Sequence, residues 1–495
     1  MDSKNSHSNK KWIHFVAQLT VPSSRPFYIL LFATFALLTG WIANRVLPDL
    51  LIFGITSVSN SNIFFCAFFF SITIITIIGL FSAAKIRANL LLLMSSLIIS
   101  LYMAEGLVSI VNEVHQTKAQ IARNQMSGLE YEKLDFRPLN TIFWDLRDTG
   151  VLKYPAIVRL PSVLKLIRAG KPVPEELLNP VPISQISGQP LLVCNENGSP
   201  VIEEFDQYGF NNDNEIYALS RIPIAIVGDS FAQGYCVPRK DSVAALLSNQ
   251  RPTLNVGLAG NGPLKELATI REYLTQIKPD IVLWLYYEGN DSFNMMTEYM
   301  HPVLRRYLED PNFSQNLIDR QGEVNNALIQ YAEEKLFFEE FNRKLTAKRM
   351  LENNFLTLGS FRNFINQLHP RLKEVGPGTL FGQIMKQAKV EVEQWGGELY
   401  FVYLPSWKRY KLDYNFHKQD FLDSVTAEGI PVIDFSDYTN TLDDPLVLFP
   451  YRHYGHYTAE GYEKLANFIA SQLNLNPQTA VEAPSTTLSI NSSSM

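Results

Sequence analysis

Long uninterrupted apolar runs occupy the first quarter of the chain, and short apolar runs alternating with amphipathic ones fill its second half. Three of the early runs reach the roughly 20 apolar residues that cross a bilayer. "FYILLFATFALLTGWIANRVL" starts after Pro26 and is broken only near its end, by Asn44 and Arg45. "SNIFFCAFFFSITIITIIGLFSAA" carries no charge, and "ANLLLLMSSLIISLYMAEGLVSIV" carries Glu105 in its last third. The pattern predicts a tail over 1–26 and three transmembrane helices within 27–111, with "DLLIFGITSV" (49–58) as a re-entrant alternative. A cleaved signal peptide explains the first run alone, and no small-residue cleavage site stands out. Glu105 is expected to lie near the outer interface and snorkel.

Positive charge orients such segments. Lys4, Lys10, Lys11 and Arg25 precede the first run, and Lys85 and Arg87 separate the second from the third. With three spans these charges share one side, so the tail is expected in the cytoplasm and the chain beyond about 112 outside it. Residues 112–221 then read as a connector, from the polar helical "VHQTKAQIARNQM" through a proline-punctuated stretch to "DQYGFNNDNEIY".

From 222 to 475 the texture is that of a doubly wound parallel sheet. "PIAIVGD", "TLNVGL", "DIVLWLYY", "ELYFVYLP" and "IPVIDF" read as strands. "DSVAALLSNQ", "LKELATIREYLTQI", "FGQIMKQAKVEVEQW" and "GYEKLANFIASQL" read as helices. A helical insertion over about 293–378 interrupts the alternation, as a lid, a carbohydrate-binding wall or a structural excursion. The Ser/Thr-rich stretch 476–495 is expected to be disordered.

Composition narrows this picture rather than redrawing it. A formal net charge of −6 leaves no basic footprint for nucleic acid, and 46% hydrophobic residues argue against general disorder. Of the three cysteines, Cys194 and Cys236 fall in the part expected outside the cytoplasm, where a disulfide is permitted; sequence leaves that pairing open. There is no CxxC pair and no HExxH, and "GLAGNG" is spaced GxxGxG rather than GxGxxG, so no metal, dinucleotide or other cofactor is indicated.

In a doubly wound sheet ligands bind beyond the carboxyl ends of the strands. The first three strands end at Gly228-Asp229-Ser230, Gly260-Asn261-Gly262 and Gly289-Asn290-Asp291. Each alone is ordinary turn or cap chemistry. Together they offer a hydroxyl, an unobstructed N–H and an amide donor, the requirements of a tetrahedral oxyanion beside a nucleophile. Serine also needs a base. Among eight histidines, only His453 and His456, in "PYRHYGHYTAEGYEKLANF", fall just before the last helix of the sheet.

These blocks resemble the SGNH (GDSL-type) hydrolase family: "GDSF", "NVGLAG", "EGND" and "GHYTAEGY", in that order, over about 222–472. The resemblance implies a three-layer, flavodoxin-like α/β fold with Ser230 as nucleophile and His456 as base. It further implies an oxyanion hole from the Ser230 N–H, the Gly260 N–H and the Asn290 side chain. One position departs from the family, whose aspartate three residues before the histidine is here His453. Asp444, with Asp443 as the alternative, is the nearest carboxylate ahead of His456, Asp434 ends a strand, and a dyad oriented by a backbone carbonyl is the other option. His453 and Glu288 are candidates for the substrate cleft. Tyr403 is expected in the core and Trp407 at the surface.

The expected function is that of a membrane-anchored serine esterase or O-acyltransferase with its catalytic domain outside the cytoplasm. O-acetyl esters of envelope or secreted polysaccharide are the expected substrates, and lipid or lysophospholipid esters the alternative. The bilayer is the one other partner the sequence implies. A catalytically idle binding or assembly module is the reading from another class.

Overall fold

The strands of the sheet are short, and the inner ones are apolar and largely buried on both faces. In a computed structural model of the protein the strands are β4 (Ile224–Gly228), β5 (Thr253–Asn255), β6 (Ile281–Tyr287), β7 (Glu398–Leu404) and β8 (Val432–Asp434). The structure describes residues 60–126, 134–157 (136 aside), 178–344, 358–368 and 376–475 (454 aside), with six residues between 29 and 37. The expected cytoplasmic tail, most of the first apolar run, the 49–58 segment and the 476–495 stretch lie outside these.

All neighbours in the sheet run parallel, in the order β5-β4-β6-β7-β8. This is the doubly wound order 2-1-3-4-5 of flavodoxin-like folds, whose switch point lies between the first and third strands, here β4 and β6. Alternate side chains enter separate cores. Ala225, Val227, Trp284, Tyr286, Phe401 and Tyr403 face the helices Pro263–Thr269, Gly378–Gln394 and Lys418–Ala427. Ile224, Ile226, Leu283, Leu285, Val402 and Leu404 face Val243–Ser248 and Ala459–Gln472.

Preceding this sheet is a smaller one, in which β2 (Pro190–Cys194) pairs parallel with β1 (Tyr154–Pro155) and antiparallel with β3 (Val201–Glu204). Leu191, Leu192 and Val193 are buried in the same core as the first face of the main sheet. What reads as a connector thus carries ordered structure that packs on the α/β core.

The described residues fall into two compact units, one drawn from 123–337 and 374–495 and the other from 1–122 and 338–373. The helical interruption is divided between them. Leu304, Tyr307, Val324 and Leu328 belong to the α/β core, whereas the helix Gly359–Leu368 belongs to the unit of the apolar helices Asn60–Phe81 and Ala84–Met126. Among the described residues one stretch, Leu92–Ile110, is long and apolar enough to cross a membrane; Ile63–Gly79 is a shorter apolar one.

Glu105 departs from the expectation that it snorkels. It is 1% exposed, and its carboxylate accepts the N–H groups of Ser360 (3.0 Å) and Phe361 (2.6 Å). The first N–H groups of any helix lack intrahelical partners, and a carboxylate is their best acceptor. The charge is satisfied inside the unit, with the Ser109 and Ser360 hydroxyls bonded beside it at 2.8 Å.

Candidate active site

Gly228 closes β4 with φ +154, and a Cβ there would stand 2.6 Å from the Leu285 carbonyl of β6. Only glycine permits the chain to turn so close to its neighbour. The short helix Ser230–Gln233 follows, capped by Asp229, whose Oδ1 accepts the Phe231 N–H at 2.8 Å. The cap is therefore aspartate, and Ser230 keeps its hydroxyl for something else.

That hydroxyl lies 2.8 Å from Nε2 of His456. The ring's other nitrogen, Nδ1, lies 3.0 Å from Oε1 of Glu196, whose Oε2 accepts the His456 backbone N–H at 2.7 Å. Ser230, His456 and Glu196 form one continuous chain of hydrogen bonds. The rings of Phe231 and Tyr235 flank the imidazole at 4.9 and 4.7 Å. Burial alone would raise the Glu196 carboxyl, but the hydrogen bond and charge of His456 outweigh it and hold it below its ordinary range.

Asp444 does not fill the position expected for it. Its Oδ2 accepts the Nε–H of Arg452 (2.6 Å) and its Oδ1 caps Leu446 N–H (3.0 Å), while Asp443 is exposed beside it. Asp434 caps the helix Phe435–Thr439 and pairs with Lys418. Glu288 is no cleft residue either: 3% exposed, it is bonded by Tyr403 Oη–H, by the Ser406 N–H (2.6 Å) and by the Arg409 guanidinium (2.9 Å), so its charge is neutralised inside the protein. His453 stands in the loop before His456, half-buried, its N–H donated to the Pro450 carbonyl at 2.9 Å. Tyr403 is buried, and Trp407 donates its indole N–H to the Arg452 carbonyl.

The three strand ends meet as the topology requires. Ser230 follows the central β4, Gly260 the end of β5 on one side and Asn290 that of β6 on the other. Gln233 Oε1 accepts the Ala259 N–H at 2.7 Å, which ties the loop bearing Gly260 (φ +83) to the serine's helix. Burial pushes the Asp229 carboxyl up to about 6, against the opposing pull of the Phe231 N–H, the His456 charge and the Asn290 and Ser230 side chains beside it.

Glu298 holds the second of these loops. Its carboxylate accepts the N–H groups of Gly262 (2.7 Å), Leu264 (3.1 Å) and Lys265 (3.2 Å). Burial pushes it up to about 7, from an ordinary 4.5. The folded protein therefore holds a proton that the unfolded chain has released, and stability from this group falls as pH rises from 4.5 through 7. The uncharged Glu298→Gln is expected to erase a slope of about 3 kcal/mol over that window. Glu298→Ala, which orphans three N–H groups, is expected to destabilise at every pH. Urea denaturation at pH 5 and pH 8 checks both.

No protein-family model matches the chain, and no curated protein matches it. Several solved structures do. A candidate lipolytic protein of the G-D-S-L family from Desulfitobacterium hafniense DCB-2 is 14% identical, over 51% of this chain and 99% of its own, with a TM-score of 0.26. A lipase/acylhydrolase from Enterococcus faecalis is 12% identical, over 52% and 100%, with a TM-score of 0.30. An alpha/beta hydrolase enzyme from the metagenome of Lake Arreo, Spain, is 13% identical, over 51% and 96%, with a TM-score of 0.28.

Proposed function

We propose that the protein is a serine esterase or O-acyltransferase of SGNH type. The observation that carries this reading is the unbroken Ser230–His456–Glu196 chain at the switch point of a doubly wound sheet. His456 Nε2 takes the proton of Ser230 as Oγ bonds to the ester carbonyl carbon. The Ser230 and Gly260 N–H groups and the Asn290 amide stabilise the resulting oxyanion. His456 then returns its proton to the departing alcohol, leaving acyl-Ser230. Water or another hydroxyl, deprotonated by His456, attacks that intermediate; the bond to Oγ breaks and His456 returns the proton to Ser230. Glu196 holds the ring with Nδ1 protonated and stabilises its charged form.

The apolar unit is the membrane anchor in this reading, with three spans within 27–111, the tail in the cytoplasm and the α/β unit in the periplasm or outside the cell. Ile99, Met103, Leu107 and Ile110 are all exposed on the helix Ala84–Met126, as lipid-facing residues are. A disulfide between Cys194 and Cys236 fits an oxidising compartment. That location favours O-acetyl esters of envelope or secreted polysaccharide as substrates. Lipid esters are the second reading, favoured by the same apolar helix.

Detergent-solubilised protein is expected to be labelled by a fluorophosphonate at Ser230 and nowhere else. Folded protein left unlabelled would sink the esterase reading and favour a binding module. In cells, Ser230→Ala separates the substrates. Less acetyl on surface polysaccharide marks a transferase, more marks a deacetylase, and no change points to lipid esters.

A further inference from the structure

Glu196 belongs to neither sheet strand. It sits in the loop between β2 and β3, two residues after Cys194. The loop's backbone is anchored by the Asp135 N–H to the Gly198 carbonyl (2.7 Å) and by Asn195 Nδ2–H to the Asp135 carbonyl, but these bonds do not aim the Glu196 carboxylate at His456. Two further contacts bear on the carboxylate's position.

On one side, Cys194 is disulfide-bonded to Cys236, with Cα atoms 5.1 Å apart. Cys236 follows Ser230 by six positions and ends the turn that leaves the serine's helix. Its φ of +69 is left-handed, a conformation that disfavours a residue with a side chain and persists only where the surroundings hold it. Asn197 Nδ2–H donates to the Cys236 carbonyl at 3.1 Å, and the Tyr451 hydroxyl donates to the Asn197 carbonyl at 2.8 Å. The loop carrying the acid is thus fastened to the segment carrying the nucleophile.

On the other side is Gly455. A Cβ at this position would lie 2.7 Å from Glu196 Oε2, the oxygen that accepts the His456 N–H. The gap left by the missing side chain is where the carboxylate lies.

We infer that Cys194, Cys236 and Gly455 are positioning residues: the disulfide and the side-chain-free gap together hold Glu196 against His456 and so set the rate of acyl transfer. This rests on the esterase reading. It accounts for the departure at His453, since a carboxylate delivered by the hairpin makes an aspartate there unnecessary.

Gly455→Ala is the sharper test, because the atom it displaces is the tip of a flexible side chain rather than the backbone. The fold and the disulfide are expected to survive while the carboxylate moves off His456. With 4-nitrophenyl acetate as the probe, kcat is expected to fall about 10- to 1,000-fold with KM within about threefold of wild type. In a Glu196→Gln background the same change is expected to cost less than about threefold, because the group it displaces is already gone. Cys194→Ala/Cys236→Ala is expected to show the same pattern. A folded Gly455→Ala with wild-type kcat overturns the inference, and so does an equal loss in both backgrounds. Failure of the wild type to react with fluorophosphonate is a different result, which removes the esterase reading itself.

Discussion

Ser230→Ala is expected to lower turnover of an activated ester by about 10⁶, and adding His456→Ala is expected to cost almost nothing more. In the proposed mechanism the nucleophile and its base act as one unit, so removing either removes the covalent route. What remains is the contribution of the oxyanion donors and of binding. The loop bearing Gly260 is held by Gln233 and not by the serine hydroxyl, so the alanine variant keeps it. A residual rate well above the uncatalysed one is therefore expected, together with unchanged thermal stability, since the helix cap is Asp229 and not Ser230. Steady-state kinetics of the two single variants and the double variant make the measurement. Losses that multiply instead of saturating would show that serine and histidine do not share a mechanism.

The α/β sheet was legible because its inner strands are largely buried on both faces. That burial forces continuous apolar runs such as "DIVLWLYY", which stand out between amphipathic helices and end in polar turns. That Ser230 and His456 come together was legible for the same reason, because topology places strand ends and the loop before the last helix on one rim. Glu196 was not. It lies in a hairpin that precedes the main sheet, and its neighbours "NENGS" look like any turn. The one signal was the cysteine pair. A bond from Cys194 to Cys236 carries the residues after Cys194 to within reach of the nucleophile's helix, and Glu196 is the first carboxylate among them. The nearest-carboxylate rule that pointed to Asp444 failed because proximity in sequence to His456 does not outweigh an arginine, Arg452, standing closer.

Glu105 fails the sequence reading in a parallel way. An isolated carboxylate in an apolar helix has no partner visible in its own surroundings, and its partner comes from about 255 residues downstream. In both places a charge that looked exposed or misplaced is satisfied by a segment that the chain delivers from far away. In the first unit the excursion 338–373 brings a helix N-terminus to Glu105; in the second a hairpin brings a carboxylate to His456.

Glu196→Gln is expected to lower kcat by about 10⁴ while leaving KM close to wild type. The size matches the shape, and the difference lies in the proton. A carboxylate accepts from both the His456 N–H and Nδ1–H, which leaves Nε2 bare to take the proton of Ser230. An amide has one acceptor and one donor, so turning its oxygen to the backbone N–H presents its NH₂ to Nδ1. The ring then carries its proton on Nε2, facing Ser230, in the wrong tautomer for a base. Fluorophosphonate labelling is expected to slow in proportion to kcat. Asp444→Asn, which touches Arg452 and not His456, is expected to stay within about threefold of wild type. The stability effect carries its own sign. Because the folded protein holds the Glu196 carboxyl below its ordinary 4.5, its contribution is present above that pH and is lost as pH falls through the folded value. The stability gap between wild type and Glu196→Gln should therefore be widest near neutrality and close in acid. A gap that widens in acid, or a glutamine variant with wild-type turnover, would leave His456 without the acid assigned to it.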